Sequence, residues 1–120
     1  MMGKRENALC EKSLKFAVRI VYFYQYLCEE KKEYVLSKQV LRSGTSIGAN
    51  IRESRNAQSD ADFINKLNIA LKEADETQYW IELLRLSNII SEESFASLNK
   101  DVAELIAMLI AAIKKMKSKL

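Results

Sequence analysis

The chain has 120 residues, 48% of them hydrophobic and 29% charged, with a formal net charge of +3. That size fits one globular domain over residues 1–120, with about two thirds of the unfolded surface buried on folding. Proline and histidine are absent and glycine occurs three times, so helices can run long, a β-rich fold with many tight turns is disfavoured, and histidine-dependent catalysis is excluded.

The first predicted helix covers about residues 6–30. Leu9, Phe16, Ala17, Ile20, Phe23, Tyr24 and Leu27 share one face, and Val18, Val21 and Tyr22 widen the apolar surface beyond it. Cys10 and Cys28 would lie on this helix about 27 Å apart at 1.5 Å rise per residue, too far for a disulfide. Two unbridged thiols are small apolar fillers and suit a reducing cytoplasm. Residues 1–7 carry no apolar signal core.

A short charged linker leads to a second helix over about residues 38–57. Ser37 is positioned as its N-cap, with Leu36 and Leu41 as a hydrophobic staple. Leu36, Val40, Ser43, Ile47, Ile51 and Ser54 form the core stripe. Lys38, Arg42 and Arg52 fall on the opposite side, within an arc of roughly 80° at about 100° per residue. Arg55 lies off that arc. Gly44 and Gly48 each cost about 1 kcal/mol in a helix interior relative to alanine, so their retention implies a close neighbour.

Ser59, with Asp62 three residues on, opens the third helix as an approximate capping box. Its stripe is Phe63, Leu67, Ala70, Ala74, Thr77, Ile81 and Leu84. Ser91 caps the fourth helix, Glu92 and Glu93 suit its positive end, and Leu98, Val102, Leu105, Leu109, Ala112 and Met116 continue the rhythm. The longest apolar run, residues 105–113, is well short of the roughly 20 residues of a membrane span.

Short connections make successive helices antiparallel. The expected fold is therefore all-α, an antiparallel up-down-up-down four-helix bundle. Folding the third helix on the fourth sets Ala74 against Leu105, Ala70 against Leu109 and Leu67 against Ala112. Folding the first on the second pairs Phe16 with Ile51 and Ile20 with Ile47, and sets the Tyr24 ring against Ser43 and Gly44. The second and third helices bring Arg42 level with Glu73.

No catalytic, cofactor or metal motif emerges. There is no Walker-type loop and no cysteine pair at zinc spacing, so an enzyme is not expected. Glu73, Glu76 and Glu82 could hold a cation or share a proton, or serve as ion-pair partners on a solvated face. The remaining functional signal is basic: Lys38, Arg42, Arg52 and Arg55 on the second helix, and Lys114, Lys115, Lys117 and Lys119 at the C-terminus. The tail also complements a helix dipole, while phosphate neutralisation by such residues gives sequence-independent nucleic-acid affinity. Surplus apolar residues, Val18 and Tyr22 on the first helix and Ile106 and Ile110 on the fourth, indicate a subunit interface. A broad monomer core or a membrane-surface helix at the C-terminus are the alternatives.

The segment Arg42-Ser43-Gly44-Thr45-Ser46-Ile47-Gly48-Ala49-Asn50-Ile51-x-Glu53 resembles the signature of the four-helix bundle proteins encoded in intervening sequences of bacterial 23S rRNA genes. The accessory variability proteins of diversity-generating retroelements are similar. The resemblance continues through Ala61-Asp62-Phe63 and Ile69-Ala70-Leu71-Lys72-Glu73-Ala74-x-Glu76-Thr77, and covers about residues 5–118. It implies a non-catalytic, cytoplasmic homo-oligomer, a pentamer by analogy with the retroelement proteins, associated with RNA or DNA. It also implies an alternative, a protein-interaction scaffold such as an accessory subunit of a reverse transcriptase.

Overall fold

Four apolar stripes of helical period give four helices in the computed structural model, which describes residues 4–120, apart from the side chains of Arg5 and Glu6. They are α1 (Lys4–Glu29), α2 (Leu36–Ser54), α3 (Asp60–Leu86) and α4 (Glu92–Lys117). No strand occurs among the described residues. The reading of the first three residues lies outside them.

The helix ends follow from local chemistry. Ser59 accepts a hydrogen bond from the Asp62 amide at 3.0 Å, and Asp62 in turn accepts one from the Gln58 amide at 3.2 Å. Ser91 caps α4 through the Ser94 amide at 3.1 Å. At the end of α3, Asn88 takes a positive φ of 61°. The amide of Ile89 reaches the Leu84 carbonyl at 3.0 Å and that of Asn88 the Arg85 carbonyl at 3.0 Å. This is a Schellman closure, with asparagine tolerating the left-handed position.

The start of α2 departs from expectation. Ser37 is not the N-cap: it lies inside the helix and is fully buried. The Glu33 carboxylate takes the capping role, accepting from the Ser37 amide at 2.7 Å and the Val35 amide at 3.3 Å. An anionic acceptor at the positive end of a helix makes the stronger bond. The Ser37 hydroxyl instead lies 3.8 Å from Cys28 Sγ.

Each helix packs antiparallel against its two ring neighbours, in the order α1-α2-α3-α4-α1, with the α1–α4 seam the thinnest. Polar bridges supplement that seam. Arg19 bonds Asp101 at 2.7 Å and the Ser97 carbonyl at 3.1 Å, and Lys12 pairs with Glu104. The result is a rod of 47 × 21 × 19 Å. Its core includes Ile20, Leu27, Ile47, Ile51, Leu67, Ala70, Ala74, Ile81, Leu84, Val102, Leu105 and Leu109, each at most 2% exposed.

The predicted stripes hold in outline, with differences in detail. Ile64 replaces Phe63 in the core, Phe63 being only half-buried. Leu36 is half-buried too. The nearest neighbour of Gly44 is Ile20 rather than the expected Tyr24: a Cβ on Gly44 would fall 2.8 Å from Ile20 Cγ1. Gly48 lies against Ser13, whose backbone carbonyl carbon is 3.3 Å from the corresponding position. The glycines of α2 therefore admit an aliphatic side chain at Gly44 and the α1 backbone at Gly48.

Candidate nucleic-acid interface

Across the α2–α3 seam lies a buried polar pair. Thr77 and Ser43, both fully buried, have their hydroxyl oxygens 2.9 Å apart. Thr77 also lies 2.7 Å from the Glu73 carbonyl one turn back. Thr77 has one proton, so donating it to that carbonyl leaves Ser43 to donate to Thr77. Toward solvent, the Arg42 guanidinium reaches Glu73 at 3.2 Å and also pairs with Glu76. The Trp80 indole N–H donates to Glu76 at 3.0 Å.

The expected Arg42–Glu73 pair is thus present within a larger network. The Trp80 hydrogen bond, and then the Arg42 guanidinium, hold the Glu76 carboxyl below the ordinary glutamate range. A carboxyl depressed on folding adds stability above its unfolded pKa, and this is lost as pH falls through the folded value. Glu76→Gln is expected to remove that acid-range dependence and to lower stability near neutrality by no more than about 1 kcal/mol, given the exposure of the pair. Denaturation midpoints compared between neutral and acidic pH will check it; an unchanged slope in the variant would contradict the assignment.

The predicted basic residues Lys38, Arg42 and Arg52 are all exposed along α2, in different surroundings. Arg42 is held by two carboxylates, and Lys38 sits near the start of α2, about 21 Å along the axis from Arg52 at 1.5 Å per residue. The antiparallel topology instead gathers Arg52 and Arg55 at the end of α2 with Lys114, Lys115 and Lys117 at the end of α4. All five are exposed, and none forms an ion pair among the described residues. Exposed Lys4 and Lys119 lie at the same end of the rod. Acidic groups here are Glu11, Asp60, Asp62 and Glu53, the last 3.9 Å from Lys66. The far end carries Glu29, Glu30, Glu33, Glu82, Glu92 and Glu93 against Lys31, Lys32, Lys38 and Arg85, so charge is polarised along the axis.

The predicted interface residues divide as well. Val18 (49%), Tyr22 (67%) and Ile110 (51%) are exposed, whereas Ile106 is half-buried and packs against the core. Leu14, Val21 and Tyr26 are also exposed, so α1 presents an outward apolar stripe with Leu14, Val18, Val21 and Tyr22 at helical spacing. That spacing is readable in the sequence for Leu14 as well. Beside the stripe, a groove of about 410 Å³ runs between α1 and α2, lined by Cys10, Ser13, Leu14, Ala17, Thr45, Gly48, Ala49, Arg52 and Glu53. Burial pushes the Cys10 thiol pKa up, with Arg55 and Arg52 opposing, so the thiol form is favoured.

Among the described residues no group of histidine, cysteine or carboxylate side chains is placed to hold a metal ion, and no helix is long and apolar enough to cross a membrane. No curated protein matches the chain. A crystal structure of a protein of unknown function from the S23 ribosomal protein family of Bacteroides thetaiotaomicron is 60% identical, with a TM-score of 0.91. The match covers 92% of this chain and 98% of that one. The model of the 23S rRNA-intervening sequence protein family matches residues 5–111. With a single family model spanning most of the bundle, and the signature glycines of α2 seated against α1, the chain belongs to the 23S rRNA-intervening sequence protein family.

Proposed function

We propose that this protein is a non-catalytic, cytoplasmic homo-oligomer that holds RNA or DNA through phosphate contacts, without reading bases. The observation that carries the reading is the cluster of Arg52, Arg55, Lys114, Lys115 and Lys117 at one end of the rod, exposed and without ion-pair partners among the described residues. The family's name ties its members to rRNA genes, which favours RNA as the polyanion. Basic side chains that displace counterions give affinity that falls steeply with salt, with a slope of about −0.9 per phosphate contact on a duplex.

The test is a fluorescence anisotropy titration of structured RNA at low salt. Arg52→Glu with Arg55→Glu, and Lys114→Glu with Lys117→Glu, should each weaken binding about tenfold or more and flatten the salt slope. Thermal unfolding should be unchanged. Lys38→Glu, at the far end, should bind much as the parent does. Parental binding by both double reversals would remove the reading.

The exposed stripe of α1 supports the oligomer, and with it the alternative of an interaction scaffold such as a reverse-transcriptase accessory subunit. A ring of five is the expected assembly, and it would multiply each weak basic patch through effective concentration. Sedimentation should show the assembly at micromolar concentration, and Val18→Glu with Tyr22→Glu should dissociate it, since a buried unpaired charge is costly. A parent protein that sediments as a monomer overturns the oligomer.

A further inference from the structure

We infer that the basic end of the rod is suited to the two sugar-phosphate backbones of a duplex rather than to a single strand; this rests on the phosphate-binding reading above. Most of the basic residues at this end fall into two clusters, with exposed Lys4 on α1 outside both. Arg52 and Arg55 close α2, and Lys114, Lys115 and Lys117 close α4. Those two helices are diagonal in the bundle, with no close approach of their backbones. The clusters are therefore set apart across a cross-section of 21 × 19 Å. On the α3 side, the start of that helix places exposed Asp60 between them, with Asp62 engaged by the Gln58 amide. A strand running from one cluster to the other past α3 would cross carboxylate. Two backbones, one on each cluster, would not.

The aromatic side chains point the same way. Single-strand binders combine a basic track with exposed rings on which unpaired bases stack. Here the exposed rings are Tyr22, Tyr26, Tyr34 and Tyr79, and all lie toward the acidic end of the rod. Phe63 is the aromatic residue nearest the basic end, and it is packed against the core. The basic end thus offers charge without stacking. A duplex needs no stacking from its partner, because its bases are already paired and stacked, and it is recognised through backbone and shape.

The experiment compares three probes with the full-length protein at low salt: a short blunt RNA duplex, a DNA duplex of the same length, and an oligouridylate of that length. Both duplexes should bind about tenfold or more tighter than the oligouridylate. Removing either cluster, by Arg52→Gln with Arg55→Gln or by Lys114→Gln with Lys117→Gln, should erase most of that preference. Both pairs are solvent-exposed, and circular dichroism of each variant should match that of the parent. If oligouridylate binds as tightly as the duplexes, the duplex assignment is wrong while phosphate binding stands. If none of the three probes binds, the phosphate-binding reading itself falls.

Discussion

Gly44→Ala should destabilise the bundle although alanine is the better helix former by about 1 kcal/mol. The new methyl would meet Ile20 Cγ1 at 2.8 Å, Cγ2 at 2.9 Å and Cβ at 3.3 Å. Ile20 is branched at Cβ and fully buried, so both γ carbons cannot rotate aside together. Overpacking of this kind costs about 1–3 kcal/mol, and Gly44→Val should lose at least as much again. Denaturant midpoints will read the effect. The diagnostic result is the cycle with Ile20→Ala, which removes both clashing γ carbons: that change should cost about 2–5 kcal/mol alone, yet less when alanine occupies position 44. Additive losses would place the clash elsewhere.

Thr77→Val should cost about 1–3 kcal/mol, because it preserves shape but strands the buried Ser43 hydroxyl without its partner. Adding Ser43→Ala should recover part of the loss, since an apolar pair of similar volume leaves no unsatisfied group. The Glu73 carbonyl keeps its helical role in both variants. If the double variant is less stable than Thr77→Val alone, the pair is not the source of the penalty.

Helix number, direction and most core positions were legible because a stripe of period 3.6 is a property of one segment at a time. The pairing between segments was less so. Taking the first helix to residue 30 and the second from residue 38 centred the turn near residue 34. The helices in fact end at Glu29 and restart at Leu36, with Lys32 at a φ of 54°. That shift places Ile20, rather than Tyr24, at Gly44. The cap at α2 was misread for a related reason. Ser37 has the right chemistry, but Glu33 reaches the same amides with a charge.

The Arg42–Glu73 pair was legible because both residues sit near the middle of long helices, where a small register error still leaves long side chains in reach. The basic end was not. Arg52 and Lys114 are 62 positions apart in sequence, and their common location appears only once four helices are laid side by side. A stripe drawn on one helix does not reveal such a cluster, and Lys38 lies at the other end of the rod.

The axial separation of charge, a basic excess at one end and an acidic one at the other, has a kinetic meaning. In the field of a polyanion this rod experiences a torque as well as an attraction, and it turns its α2 and α4 termini forward before contact. Long-range fields of this kind raise the rate of productive encounter and are screened within about 8 Å at physiological ionic strength. Added salt should therefore slow capture more than it hastens release, and relocating a lysine from one end to the other should alter the association rate even though the net charge stays the same.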